Sequence, residues 1–202
     1  QTYFLVGNHD LFYRDKREIS SVVFAQEIPK VKVVDEIIVK DDVALIPWLI
    51  GNEWKKVKNI KAKYMFGHFE LPNFKMNAMV EMPDHGELNA GHFDKVGHVF
   101  TGHFHKRQYK NNIHYIGNAF PHNYADVDDV ERGAMFLTWG EEPLYVNWGE
   151  CPKYKVIYEG GTLGPPDLNL AFILVYCQLS SDFPKTFGKA QNKFFLKASL
   201  PR

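Results

Sequence analysis

The sequence predicts an α/β or α+β fold built on a mixed β-sheet. Short apolar runs at residues 2–6, 64–66 and 96–101 each end at a glycine that opens a polar loop. This arrangement is typical of strands that stop at the edge of a sheet. Hydrophobic residues make up 45% of the 202 residues and aromatic residues 15%. The chain can therefore form a substantial core and lacks the composition of a disordered protein.

The first part of the chain is predicted to alternate strands with two helices. The run at 2–6 is predicted to be a buried strand. Apolar residues in 16–28 have the spacing of an amphipathic helix that ends before Pro29, and 53–63 is predicted to be a surface helix with a basic face. The remaining predicted elements are strands at Val31–Val34, 36–39 and Val43–Ile46, a turn at Asp41-Asp42, strands at 64–66, 96–101 and 113–116, and a long loop at 73–94.

A hairpin, a linker and a tail are predicted for the last part of the chain. Residues 134–148 alternate in polarity around a Gly-to-Pro turn, which predicts a hairpin, and 154–158 is a further candidate strand. The sequence GGTLGPP lies within a predicted linker at 160–169. A strand at 170–179 and a helix at 185–196 follow it. The predicted division of the chain is 1–159 as one domain, 160–169 as linker, and 170–202 as the start of another domain.

Composition excludes several classes of protein. The chain has 24 Lys plus Arg and 24 Asp plus Glu, a formal net charge of zero, which excludes a strongly basic whole-surface binder of nucleic acid but not a local basic patch. The longest apolar runs are far shorter than the roughly 20 residues that a membrane span needs. Two cysteines make no disulfide framework. We therefore expect a protein of a reducing compartment, the cytoplasm, with no membrane partner.

Three loops share one design. They are GNHD at 7–10, GHFE at 67–70 and GHFH at 102–105, and each follows a predicted strand and begins with glycine. A glycine at a strand end allows a sharp turn and a close approach to a ligand. Each loop then presents side chains that can bind a metal. Three such loops from one sheet can converge at its edge, the usual ligand site of α/β folds.

The side chains in these loops suit metal-assisted chemistry. His103 and His105 are two residues apart, so in an extended segment both rings face one site. Imidazole with oxygen ligands suits Mn, Zn, Fe or Ni. Asn8 supplies a neutral oxygen, His9 could protonate a leaving group, and Asp10 could hold the His9 ring in the required tautomer.

These motifs resemble those of a known family. The three loops look like the third, fourth and fifth motifs of the calcineurin-like metallophosphoesterases. Further short motifs are IPW at 46–48, YIG at 115–117 and RG at 132–133. With them the sequence resembles the SbcD/Mre-type DNA repair nucleases, and most of all their tailed-phage branch. The resemblance covers residues 1 to about 150.

The resemblance implies a fold and a partnership. The fold would be a metallophosphoesterase β-sandwich flanked by helices. Residues 1–159 would be the C-terminal portion of the nuclease core, and 170–202 the start of a DNA-binding capping domain. The implied substrate is DNA, and the implied partner is an SbcC-type coiled-coil ATPase. The nuclease would be a homodimer, located in the host cytoplasm if it is encoded by a phage.

The resemblance also implies roles for individual residues. Asn8, His68 and His103 would bind one metal of a pair, and His105 would bind the other. His9 would be the acid, with Asp10 as its orienting partner. The two divalent ions would most often be Mn²⁺, with Mg²⁺ as an alternative. The reaction would be phosphodiester hydrolysis by a metal-activated water. No substrate-binding residue is implied.

The sequence departs from the family in one large respect. The first two family motifs, Asp-x-His and Gly-Asp, occur nowhere in the 202 residues. Because they precede the strand that leads to Asn8 in relatives, we expect them upstream of Gln1. Two alternatives stay open: another calcineurin-like phosphatase or phosphodiesterase, or a truncated module that binds DNA or the ATPase without catalysis.

Overall fold

The computed structural model describes residues 1–76, 80–126 and 129–151, and the backbone of three further strands at 156–158, 172–176 and 194–198. The chain forms two compact units, residues 1–117 and residues 118–202. The predicted linker at 160–169 lies outside the described residues, so the predicted division at residue 159 stays a prediction. No helix in the described part of the chain is long and apolar enough to cross a membrane.

The described residues form a mixed α+β structure that is rich in strands and poor in helix. One α-helix is present there, α1 at Trp54–Val57, together with 3-10 helices at Asn8–Asp10, Val23–Glu27, Gly51–Glu53, Ala90–Phe93 and Tyr124–Asp126. The strands in chain order are β1 Thr2–Leu5, β2 Leu11–Tyr13, β3 Lys16–Ser20, β4 Val31–Val34, β5 Ile38–Lys40, β6 Val43–Ile46, β7 Ala62–His68, β8 Val96–Gly102, β9 Gln108–Lys110, β10 Ile113–Tyr115, β11 Gly133–Phe136, β12 Leu144–Asn147, β13 Val156–Tyr158, β14 Phe172–Tyr176 and β15 Phe194–Ala198.

A six-stranded sheet is the centre of the first unit. Its strand order is β5-β6-β7-β8-β10-β9. The four inner strands are parallel, and the two outer strands pair antiparallel with their neighbours. Because β6, β7 and β8 are parallel, their carboxyl ends lie at one edge of the sheet. That edge is the place to look for a site.

Two smaller strand pairs complete the first unit. Strands β1 and β4 pair in parallel, with Leu5 opposite Val34. Strands β2 and β3 form an antiparallel hairpin with a register shift between Leu11 and Tyr13.

In the second unit, β11 and β12 pair antiparallel, and β14 lies between β13 and β15. The predicted hairpins at 36–46 and 134–148 are confirmed.

The core of the first unit lies against the six-stranded sheet. Alternate strand residues such as Met65, Val99 and Ile113 are essentially buried and pack with Phe69 and Phe93 from the following loops. Burial of each such large apolar side chain contributes about 1.5–3 kcal/mol relative to exposure. The loops at the sheet edge are therefore attached to the core by their own aromatic residues.

Several predicted elements are wrong. Residues 16–28 form strand β3 and a 3-10 helix, not an amphipathic helix. Of the predicted apolar face, Val22 packs into a small core with Val6, whereas Ile19 and Val23 are mostly exposed. The apolar residues of 16–28 therefore do not share one buried face. The strand at 2–6 is real but is not buried, since Tyr3 and Phe4 are 49% and 40% exposed.

The predicted helices are also fewer and shorter in the structure. The helix predicted at 53–63 is one turn of α-helix, because the chain turns after Val57 and enters β7 at Ala62. The flanking helices implied by the resemblance are absent from the described residues. At the C-terminal end, 194–198 is strand β15, so the end of the helix predicted for 185–196 is wrong. The rest of that helix lies outside the described residues.

Candidate functional site

Four strand ends carry the candidate site. The ends of β6, β7 and β8 place Trp48, His68 and His103 at one edge of the central sheet. Asn8 follows β1, which belongs to a separate two-stranded sheet. The prediction that all three loops leave one sheet is therefore wrong. The two sheets meet where the Trp48 N–H donates to the Val6 carbonyl oxygen at 2.8 Å.

Asn8, His68 and His103, here called the donor cluster, converge on one point. Asn8 Oδ1 lies 2.9 Å from His68 Nε2 and 3.4 Å from His103 Nδ1. Two donors that each lie about 2.1 Å from one cation, at about 90–110° to each other, are about 3.0–3.4 Å apart. The separation of 3.4 Å lies within that range, and the separation of 2.9 Å, which is also the length of a hydrogen bond, lies just below it. Both are close to the spacing of neighbouring ligands of a single metal ion. In the described residues no three His, Cys, Asp or Glu side chains could hold a metal ion alone, so the amide oxygen is needed to complete three donors.

Glu70 orients the His103 ring. The His103 Nε2–H donates to Glu70 Oε2 at 3.0 Å. With the proton on Nε2, the Nδ1 lone pair faces the Asn8 oxygen, and two electron-rich atoms lie opposite each other with no proton between them. A bound cation would stabilise that arrangement. A carboxylate on the distal nitrogen of a metal-binding histidine is a common supporting interaction.

The segment around Glu70 is held firmly. The Phe69 N–H donates to Thr101 Oγ1 at 3.0 Å, and the Leu71 N–H donates to the Tyr115 hydroxyl oxygen at 3.2 Å. The same hydroxyl donates to the Phe69 carbonyl oxygen at 2.9 Å. Burial raises the pKa of Tyr115, so its proton stays in place. Sequence reasoning assigned Glu70 no role. The signal for it is a carboxylate two residues after His68 in the same loop.

Burial keeps both histidines of the donor cluster neutral. The pKa of His68 is lowered to about 4, mainly by burial and to a smaller extent by the repulsion that protonated His103 and His9 would exert. Burial also lowers the pKa of His103, and the nearby Glu70 carboxylate only partly opposes this. Neutral imidazole is the form that binds metal ions. At neutral pH the cluster is therefore ready to act as a ligand set.

Trp48 covers one side of the cluster. Its ring stacks on His103, with centroids 5.2 Å apart and planes 28° apart, and meets His68 edge-on at 6.1 Å. His68 and His103 themselves meet edge to face at 5.3 Å. These contacts restrict both imidazole rings. The sequence marked Trp48 only as part of a motif, because its place beside His103 depends on strand order.

The backbone at His103 is strained. Its φ is +87°, a region that residues other than glycine rarely adopt and that costs on the order of 1–3 kcal/mol. The segment after β8 is bent, so the extended geometry predicted for His103 and His105 is wrong. His105 follows two residues later, and the repulsion that it would exert when protonated contributes to the lowered pKa of His103. Its role as ligand of a second metal stays a prediction.

His9 and Asp10 lie on the solvent side of the same loop. His9 is exposed, and its charge lowers the pKa of both His68 and His103. Asp10 Oδ2 accepts a hydrogen bond from the Gly7 N–H at 2.7 Å, which closes the 3-10 turn that carries Asn8. The predicted roles of His9 as acid and Asp10 as its partner stay predictions.

The three loop glycines serve close packing. A Cβ on Gly7 or Gly102 would lie 3.0–3.1 Å from the His68 ring, and one on Gly67 would lie 2.3 Å from the Phe69 ring. None of the three has a positive φ. The left-handed backbone region is therefore not what requires glycine at these positions. The close approach that they allow is to the His68 and Phe69 rings, and a close approach to a ligand stays a prediction.

Two cavities adjoin the donor cluster. One of about 260 Å³ is bordered by His68 and runs past Trp54 and His85. The other, of about 320 Å³, is bordered by Asn8 and Phe12. Both are bordered by Arg14, Trp48 and Glu70. The cluster therefore lies beside space that a substrate could occupy.

One comparison with known proteins relates the chain to a nuclease subunit. The chain is 30% identical over 151 residues to exonuclease subunit 1 of Enterobacteria phage T4. The chain is related to a nuclease. The alignment covers 70% of this chain and 44% of that protein, so the chain spans less than half the length of the relative. No family model matches the chain.

Proposed function

We propose that this protein is the metal-dependent nuclease subunit of a DNA recombination and repair complex. The observation that carries the proposal is the donor cluster, in which two neutral imidazoles and an amide oxygen converge at ligand spacing. The similarity to a phage exonuclease subunit supports DNA as the substrate. Loops at the carboxyl ends of parallel strands are the usual place for such a site.

Each residue has a proposed part in phosphodiester hydrolysis. Asn8, His68 and His103 would hold one divalent ion, and His105 would contribute to a second. The proposed ions are Mn²⁺, which when bound supply an activated water and a positive charge on the phosphate oxygens. His9 would give a proton to the leaving oxygen, and Asp10 would act as its orienting partner. Glu70 would keep the His103 lone pair directed at the ion.

The proposal extends to partners. An SbcC-type coiled-coil ATPase is the proposed protein partner, and a homodimer the proposed state of the nuclease. The alternative is a module that binds DNA or the ATPase without cutting. The small donor count favours this alternative, since in the described residues the cluster needs an asparagine oxygen to reach three donors.

The test is cleavage of linear double-stranded DNA by the intact protein with and without Mn²⁺. We expect cleavage that stops with EDTA and is lost in His68→Ala. His98→Gln is the matched control, because His98 stacks on Tyr64 in the middle of the sheet, away from the cluster. Hydrolysis of a small phosphomonoester without DNA cleavage would favour a phosphatase. Binding of DNA with no turnover of either substrate would favour the non-catalytic module.

A further inference from the structure

The hairpin of β2 and β3 is fastened to the rim of the candidate site. The Arg17 guanidinium donates two hydrogen bonds, at 2.8 and 3.3 Å, to the Trp48 carbonyl oxygen. It also forms a two-bond ion pair with Glu53. Burial raises the pKa of Glu53, but the hydrogen bonds from Arg17 and the Ile50 N–H, together with the charges of Arg17 and Lys56, lower it overall. At the hairpin base the Ser21 N–H donates to the Asp10 carbonyl oxygen at 2.8 Å. The hairpin is therefore held in place next to the donor cluster.

The tip of this hairpin presents an aromatic ring and a cation to solvent. Phe12 is 72% exposed, and it borders the same cavity as Asn8. Arg14 is also exposed and borders both cavities. Among the described residues Arg14 has no ion-pair or hydrogen-bond partner, in contrast to Arg17. The Phe12 ring meets the neighbouring Tyr13 ring edge-on, with centroids 4.8 Å apart, a contact that leaves most of the Phe12 side chain exposed.

The charges at this rim suit a ligand that makes a single phosphate contact. Asp15 and Glu18 balance Arg14 and Lys16 on the hairpin, so the surface is not a broad basic patch. Two carboxylates, Glu70 and Glu87, also border the first cavity. Arg14 is the one cation that borders both cavities in the described part of the chain. A single phosphate group beside a stackable base matches one arginine and one aromatic ring.

We propose that Phe12 and Arg14 bind the DNA strand next to the donor cluster. Arg14 contacts a backbone phosphate, and Phe12 stacks on a base. Base stacking on aromatic side chains tolerates any sequence, which suits an enzyme that degrades DNA of many sequences. This inference rests on the proposed nuclease function, and it supplies the substrate-binding residues that the sequence left unassigned.

The first test measures binding without cleavage. The probe is a 20-nucleotide fluorescein-labelled oligothymidine, titrated with the intact protein in EDTA and followed by fluorescence anisotropy. We expect Arg14→Ala to weaken binding about tenfold and to reduce the dependence of log K on log salt by about 0.7, the value for one phosphate contact on a single strand. Phe12→Ala should weaken binding to a similar extent, and Arg14→Lys should restore part of the loss.

The matched control is Lys16→Ala. It removes the same charge from the same hairpin, but Lys16 borders neither cavity and lies 5.9 Å from the Tyr13 ring centroid. We expect its affinity to stay within twofold of the wild type. Equal loss in all three alanine variants, wild-type affinity in Arg14→Ala and Phe12→Ala, or no binding by the wild-type protein would overturn the proposal.

The second test separates this inference from the proposed function. With Mn²⁺, the ratio of oligonucleotide cleavage to bis(p-nitrophenyl) phosphate hydrolysis should fall about tenfold in Arg14→Ala, because the small ester has no neighbouring nucleotides to bind. An equal loss of both activities would overturn the inference. If the wild-type protein hydrolyses neither substrate but its DNA affinity depends on Arg14 and Phe12, the proposed nuclease function fails and the binding surface stands.

Discussion

The donor cluster and the hairpin tip lie side by side and are built in opposite ways. His68 and His103 are largely enclosed by Trp48, and glycines leave room for the His68 ring. Phe12 and Arg14 point to solvent on a hairpin that is anchored at its base and through the Arg17 side chain, which leaves both of these side chains exposed. The contrast indicates that the two regions have different functions. Buried, oriented donors suit a metal ion that tolerates little displacement, whereas an exposed tip can adapt to a flexible polymer.

The largest expected effect concerns the pH dependence of stability. The pKa of His68 is about 4 in the folded chain and 6.5 in the unfolded chain. The unfolded state therefore binds more protons between these values, and stability is lost as pH falls from about 6.5 to about 4. The loss attributable to His68 is on the order of 3 kcal/mol.

The measurement is urea unfolding at several pH values in EDTA. The control variant His68→Asn should show a flatter dependence over that range. An equally steep loss in the variant would mean that the cluster is not the buried, neutral region that we describe.

Gly67→Ala should lower the free energy of unfolding by about 2–3 kcal/mol, the upper part of the range for overpacked sites. The new Cβ would lie 2.3 Å from the ring of Phe69, which is 1% exposed. Chemical denaturation measures the loss. Gly149→Ala is the control, since a Cβ there meets nothing within 4 Å, and it should change stability by less than about 0.5 kcal/mol. Equal effects at the two positions would show that the packing around Phe69 is looser than described.

Glu70→Gln should weaken Mn²⁺ binding about tenfold, because a carboxylate behind a ligand histidine orients it and raises its basicity. Titration calorimetry measures the affinity, and ¹⁵N NMR of the imidazole reports the tautomer of His103. Glu87→Gln is the matched control, as Glu87 borders the same cavity without a described contact to an imidazole. Loss of affinity with an unchanged tautomer would argue that Glu70 is itself a ligand.

Gly102→Ala should have the smallest effect. Its Cβ would lie 3.1 Å from His68 Nδ1, so the ring must move by a few tenths of an ångström. We expect a change in stability below about 1 kcal/mol and a severalfold weaker Mn²⁺ affinity. Unaltered Mn²⁺ affinity in this variant would show that the donor cluster tolerates a displaced His68 ring. The donor cluster would then differ less from the adaptable hairpin tip than we propose.

The sequence by itself determined the strand-and-loop plan and the candidate donors. Strands that precede Asn8, His68 and His103 were predictable because short apolar runs ending in glycine have few other structures. The two helices were mispredicted for a physical reason. Helical spacing of apolar residues stabilises a helix only when another element buries the whole face, and in 16–28 Val22 is buried whereas Ile19 and Val23 face solvent. In 53–63 the helix stops at Val57 because the chain enters strand β7 at Ala62.

Only the tertiary structure decided which residues meet. Strand order brings Trp48 onto His103, and Glu70 reaches His103 from a loop 33 residues away in sequence. The positive φ of His103 and the packing of Gly7 and Gly102 against His68 also depend on neighbours distant in the chain. Local residue patterns specify periodicity and turn chemistry. Orientation, burial and pKa depend on the three-dimensional surroundings, which a one-dimensional pattern does not contain.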